Sequence, residues 1–201
     1  MFYKLSIFVA QITENGCEMT RIADLLFEVR MLKDLNRSGY AFLGAGKESI
    51  AEHSFTTAFL CFVMARLEPD ADAERLISMA LVHDTGEART GDLNYVNKHY
   101  NSVDESHAVS DLTQGLTWAQ DIPDLIDEFN QGETMEARLV NDADQLSFIL
   151  ELKKLQDLGA TSPESWLPFV VGRLKTETGK QLAREILGTR WDEWWTRGYS
   201  E

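Results

Sequence analysis

Apolar positions in this chain recur mostly at steps of three and four, the period of helices that turn one face inward. From Met19 the series Ile22, Leu25, Leu26, Val29 and Leu32 predicts a first amphipathic helix, broken at Asn36-Arg37-Ser38-Gly39. A glycine-dotted loop over 40–47 follows. A second helix then begins near Glu48, with Ala51, Phe55, Ala58, Phe59, Phe62 and Val63 as a broad apolar stripe, and ends at Glu68-Pro69-Asp70. Asp72 is placed to cap the next helix, whose buried side carries Leu76, Ile77, Met79, Ala80 and Val82. Gly86 and Gly91 loosen the chain just beyond, as expected where a buried helix opens into a pocket-lining loop.

A weaker helix is predicted from Asp104 to Leu116 (Val109, Leu112, Leu116), and Asp121-Ile122-Pro123 starts another. Glu133 to Leu158 reads as one long helix with Leu139, Val140, Ala143, Leu146, Ile149, Leu150, Leu155 and Leu158 apolar, and Gly159 as its C-terminal cap. Ser162-Pro163 opens a further segment, and a last helix spans Lys180 to Trp195. Alternating runs of useful length are missing, so the predicted class is all-α. Residues 1–18, with a turn at Asn15-Gly16, are set apart as an amino-terminal extension of unassigned structure. One domain is expected over 19–201, its core at about 30–160 and a helical tail after it.

Charge narrows the partners. With 19 basic and 33 acidic residues the chain carries a net charge of −14, which repels a phosphate backbone and argues against nucleic acid as a partner. A small anionic substrate is still compatible, provided that a metal and a few cations reverse the field locally. Cys17 and Cys61 form no CxxC or zinc-ribbon spacing, and Cys61 reads as a small core residue. The opening apolar run is too short for a signal peptide. No stretch approaches the roughly 20 apolar residues of a membrane span. No membrane association is expected, and the expected address is cytoplasmic.

The candidate chemistry lies at the inner ends of the buried helices. His83 and Asp84 are adjacent and close an apolar run, where two polar groups are costly unless something pairs with them. A divalent cation uses both, and His53 in AEHS, near the start of its helix, is a further imidazole. Steps of three or four along the long helix give Ala137, Val140, Asp144, Phe148 and Leu152, an acid on an apolar stripe. Either a metal or a salt bridge to Arg138 or Arg173 would relieve that burial. Asp142 falls on another face and is expected to be solvated. Mixed nitrogen and oxygen ligation without thiolate suits Mn²⁺, Co²⁺ or Fe²⁺ and permits Zn²⁺ or Mg²⁺. Glu87, one turn after His83, is placed to orient attacking water, and Asp92 to act as an acid/base group or meet a sugar hydroxyl.

AEHSF, LVHDTGEARTGDL and DADQL, in that order over roughly residues 30–155, resemble the HD-domain phosphohydrolases, specifically their 5′-deoxynucleotidase-like branch. The resemblance implies an HD-type helical bundle and one divalent metal held by His53, His83, Asp84 and Asp144. It implies catalysis and substrate contact by Glu87 and Asp92, and release of phosphate from deoxynucleoside 5′-monophosphates by homodimers. Arg37 matches the arginine that meets phosphate, and Tyr40 stands where an aromatic would meet the nucleoside. Related members act on triphosphates or other phosphate esters, and a nucleotide-sensing module without turnover is the non-enzymatic rival. His99 and His107 lack the adjoining acids of a second metal site. Arg89 and Lys98 are expected to be solvated cations. Trp191, Trp194 and Trp195 with Tyr199 are expected to cover the core or a dimer seam.

Overall fold

The computed structural model describes residues 18–197, so the extension over 1–17, Cys17 and Tyr199 lie outside the described residues. Helix α1 spans 18–30 and runs into a 3₁₀ turn, Met31–Lys33. Then come α2 (Tyr40–Leu43), α3 (Ile50–Leu67), α4 (Ala73–Val82), α5 (Glu87–Thr90), α6 (Tyr95–Tyr100) and α7 (Glu105–Thr113). The chain continues with α8 (Asp121–Gln131), α9 (Met135–Asp157), α10 (Pro163–Val171), α11 (Glu177–Gly188) and α12 (Glu193–Thr196). Among the described residues the fold is all-α, with one isolated bridge between Asn36 and Ser49. No helix there is long and apolar enough to cross a membrane.

The hub is α9, against which α3, α4, α8, α10 and α11 pack. Its Leu139, Val140, Ala143, Leu146, Ile149 and Leu152 are all but fully buried, each large one worth about 1.5–3 kcal/mol. Side-chain caps set the helix starts. Asp72 accepts from the Arg75 amide at α4, Thr134 from Ala137 at α9, and Ser49 with Glu52 forms a reciprocal capping box at α3. The α1 helix closes a smaller cluster in which Leu25 meets Leu112, Leu116 and Ala119. The short helices α2, α5 and α6 escape periodicity because four to six residues hold too few repeats.

Five expectations are corrected. Leu26 points outward, 64% exposed, while Leu25 and Leu32 face in. The aromatic stripe of α3 faces outward too: Phe55, Phe59 and Phe62 are exposed, and the buried side is Ile50, His53, Ser54, Thr57, Cys61 and Met64. This helix is apolar on both faces, so period alone could not choose between them. The final helix is split, since Thr189 to Asp192 are non-helical between α11 and α12. Trp191, Trp194 and Trp195 remain 38%, 78% and 53% exposed rather than covering the core.

Asp142 is the fifth correction, being fully buried instead of solvated. Its carboxylate accepts from the Lys175 and Thr176 amides at 2.8 and 2.7 Å and from the Thr176 hydroxyl at 2.6 Å. It thereby ties the entry of α11 to the middle of α9. A Cβ at Gly179 would collide with this carboxylate, which is why a glycine sits in the first turn of α11.

Candidate metal centre and its cleft

Three helices deliver the centre. His53 lies one turn into α3, His83 is the C-cap of α4 with Asp84 next, and Asp144 sits mid-way along α9. His53 Nε2 is 2.9 Å from Asp144 Oδ1 and 3.7 Å from Asp84 Oδ2, and His83 Nε2 is 3.2 Å from Asp84 Oδ2. One ligand atom each from His53, His83 and Asp144 falls within 4.8 Å of the others, and Asp84 adjoins them. Both imidazoles are almost completely buried, and both Nε2 atoms lack a hydrogen-bond partner in regular geometry.

Two orphaned buried nitrogens facing two carboxylates fit a divalent cation. The far side of the His83 ring agrees with that fit. His83 Nδ1 is 2.8 Å from the Ala80 carbonyl, so Nδ1 carries a proton and Nε2 is the atom that a cation would take. His53 Nδ1 lies 3.1 Å from Ser147 Oγ and also touches Arg37 Nη1. A guanidinium only donates, so the Arg37 contact calls for a lone pair on Nδ1, while the Ser147 hydroxyl can donate or accept and fits either tautomer. Neither Arg138 nor Arg173 pairs with Asp144; Arg173 reaches Gln145, which in turn donates to Asp144 at 2.7 Å.

Electrostatics follow from this crowding. Burial opposes charge on Asp144, yet the close approach of His53 and the charges of His53, Arg37 and His83 hold its carboxyl well below the usual range. Asp84 is likewise lowered, by His83 and His53 against burial. Burial lowers His53. It acts the same way on His83 but is outweighed by Asp84 and Asp144, which lift that imidazole to about 9. Glu87 opens α5, and burial together with the charges of Asp84 and Asp92 pushes it up to about 8.

The Asn36–Ser49 bridge draws the Arg37 segment onto the start of α3, with the Arg37 amide donating to the Glu48 carbonyl at 2.9 Å. Arg37 is surrounded by the charges of Asp144, Asp84, Glu48 and Asp92, which raise its pKa although burial works the other way. Asp92 follows Gly91, whose φ of 71° and ψ of 160° exclude other residues. Its Oδ2 accepts from the Ser38 amide at 2.5 Å and the Ser38 hydroxyl at 3.1 Å. Tyr40 is buried and donates to Glu48 at 3.1 Å. A cleft of about 510 Å³ opens from here, lined by Arg37, Tyr40, Asp92, Lys98, Phe148 and Trp166 among others. Phe148 packs edge-on against both Tyr40 and Trp166.

Several of these residues were not singled out from sequence. Ser147 was legible in principle, one turn beyond Asp144 on α9, whereas Glu48, Ser38 and Trp166 reach the cleft only through tertiary packing. Lys98 is exposed, as a solvated cation would be, and at the same time lines the cleft, while Arg89 is occupied by Glu28 and Asp111. His107 pairs with Asp111, and His99 meets the Tyr100 ring edge-on.

Known proteins are similar to this chain in sequence and fold. A 5′-deoxynucleotidase, hdd1, from Schizosaccharomyces pombe is 30% identical over 148 residues, covering 69% of this chain and 74% of that protein. The 5′-deoxynucleotidase HDDC2 of Xenopus laevis is 32% identical, covering 65% and 67% respectively. Among solved structures, a conserved hypothetical protein from Pyrococcus furiosus superposes with a TM-score of 0.70 at 25% identity, over 83% of this chain and 99% of that one. A protein from Magnetospirillum magnetotacticum, described as a predicted metal-dependent phosphohydrolase, shares the fold with a TM-score of 0.68 at 22% identity, over 91% and 95%. The HD domain family model matches residues 29–186, so this chain belongs to the HD domain family.

Proposed function

We propose that the protein is a metal-dependent phosphomonoesterase that removes phosphate from deoxynucleoside 5′-monophosphates. The observation that carries this reading is the pair of orphaned imidazole nitrogens, His53 Nε2 and His83 Nε2, facing Asp84 and Asp144 at the foot of an aromatic cleft. The names of the curated relatives, all 5′-deoxynucleotidases, support the substrate class. His53, His83, Asp84 and Asp144 would hold one divalent ion, of the Mn, Co, Fe, Zn or Mg kind. When bound, such an ion activates water and neutralises phosphoryl charge.

The protein's own groups do the rest. Arg37 offers a guanidinium to the phosphoryl oxygens from among the carboxylates of Asp144, Asp84, Glu48 and Asp92. Asp92 grips Ser38 and so holds the segment that presents Arg37. Glu87, titrating near neutrality, holds and moves a proton at its carboxyl beside Asp84 and Asp92. Tyr40, with its hydroxyl tied to Glu48, gives the cleft a fixed aromatic wall beside Phe148 and Trp166, suited to a nucleoside. The reading includes a cytoplasmic homodimer, as the resemblance implies.

Phosphate release from dAMP, AMP and dATP, each with Mn²⁺, Co²⁺ and Mg²⁺, tests it. The expected result is orthophosphate from dAMP in preference to AMP, abolished by a chelator. Triphosphate release from dATP would redirect the reading to a triphosphohydrolase. Tight dAMP binding without turnover under any of the ions would leave a sensing module.

A further inference from the structure

Glu48 is a buried acid for which the reaction has no direct use, set just before the Ser49 cap of α3. Its Oε2 accepts from the Tyr40 hydroxyl at 3.1 Å and faces Arg37 Nη1 at 3.9 Å. The Glu48 carbonyl takes the Arg37 amide at 2.9 Å, and the Ile50 amide reaches back to the Leu35 carbonyl at 3.0 Å. The segment that carries Arg37 is thus fastened to the entry of α3 on both sides of Asn36. Gly46, at a φ of 76°, lets the loop close on the Tyr40 ring, since a Cβ there would stand 3.1 Å from Tyr40 Cε1. An apolar side chain at position 48 would cost less. Burial and the charge of Glu151 both oppose ionising this carboxyl, and only Arg37 and the Tyr40 hydroxyl favour it.

We propose that Glu48 is a positioning residue that sets Arg37 and Tyr40 together, so that the phosphate and the nucleoside of one ligand are read as a unit. Four acids surround Arg37, and three have other work. Asp84 and Asp144 face the imidazoles of the metal centre, and Asp92 Oδ2 is engaged by Ser38. Glu48 is left to hold the guanidinium. Arg37 Nη1 lies between Glu48 and His53, while its Nε and Nη2 have no hydrogen-bond partner among the described residues. That free edge is the one a phosphoryl group can take. The Tyr40 hydroxyl sits on the same carboxylate oxygen, so a single atom restrains the phosphate arm and the aromatic wall. Phe148 touches both as well, 5.9 Å from the Arg37 Cζ and 6.2 Å from the Tyr40 ring. A costly buried charge that joins two ligand-binding groups fits preorganisation of a site better than stabilisation of a core. The proposal rests on the nucleotide reading above and adds the device that couples the two halves of the substrate.

Titration calorimetry on the Mg²⁺-loaded full-length protein at pH 8, with orthophosphate and deoxyadenosine as separate probes, is the experiment. Glu48→Gln loses the charge that faces Arg37 but keeps an oxygen for Tyr40, and with no charge to desolvate it folds at least as well as the parent. It is expected to weaken orthophosphate at least about tenfold and deoxyadenosine by less than about threefold. Glu48→Ala is expected to weaken both probes, each at least about fivefold. Adding Glu48→Gln to Arg37→Met costs orthophosphate less than about twofold more, because Glu48 acts through that arginine. Adding Glu48→Ala to Tyr40→Phe likewise costs deoxyadenosine less than about twofold more. In phosphate release from dAMP, Glu48→Gln raises KM at least about tenfold with kcat within about threefold. A Glu48→Gln protein that binds orthophosphate as the parent does overturns the proposal, as do losses that simply add in the double variants, or a parent that binds neither probe. A parent that shows the expected binding pattern yet releases no phosphate from dAMP upholds the positioning role and sinks the hydrolase reading alone.

Discussion

Glu48 is 6% exposed, and burial pushes its carboxyl up to about 7, with Arg37 and the Tyr40 hydroxyl only partly offsetting the cost. In the unfolded chain the same group releases its proton near 4.5. Between those values the folded state binds more protons than the unfolded one, so stability falls as pH rises through the window. Below about pH 4.5 both states hold the proton and nothing is lost; above about pH 7 the full penalty stands. The gap between 4.5 and about 7 corresponds to roughly 3 kcal/mol. Glu48→Gln removes the charge but keeps an oxygen to accept from Tyr40. The variant is therefore expected to exceed the parent in stability by up to about 3 kcal/mol near pH 8, and by less than about 1 kcal/mol near pH 5. Urea unfolding of both proteins at several pH values gives the difference directly, free of the other titrating groups that they share. A difference that is independent of pH, or that grows toward acid, would refute the argument that burial dominates at Glu48.

Asp144→Asn leaves the His53 ring without its carboxylate partner and is expected to lower phosphate release at least about a hundredfold while helicity is retained; an assay with saturating Mn²⁺ checks this. Ser147→Ala removes the hydroxyl that orients the His53 ring at Nδ1 and is expected to weaken Mn²⁺ binding by about tenfold in titration calorimetry, with little change in fold. Gly179→Ala drives a methyl into the buried Asp142 carboxylate and is expected to destabilise by about 2–4 kcal/mol in thermal melts. Gly188→Ala, which meets nothing within 4 Å, serves as its neutral control.

The course of the helices is a matter of local pattern. The steps from Leu139 to Leu152, the cap at Asp72 and the stop at Glu68-Pro69 each act within a turn or two, so a linear reading reaches them. The centre is legible for a related reason. His83-Asp84 closing an apolar run, and Asp144 on an apolar stripe, are polar groups in places where burial demands a partner, and the structure brings both to His53. Lys98 and Trp166 gave no such signal, because each reaches the cleft only when distant segments meet.

What local pattern leaves open is which surface of an element becomes interior. The α3 helix is apolar all round; packing by α4 and α9 chose the side holding His53 and left three phenylalanines outside. Asp142 has an acid's composition and a core residue's burial, and only the arrival of the Lys175–Thr176 amides makes that combination stable. Periodicity and caps thus determined where helices run and which polar residues needed partners. The partners themselves, the inward faces and the shape of the cleft were decided by contacts between segments dozens of residues apart, where desolvation and hydrogen bonding act on neighbours that no single stretch of chain contains.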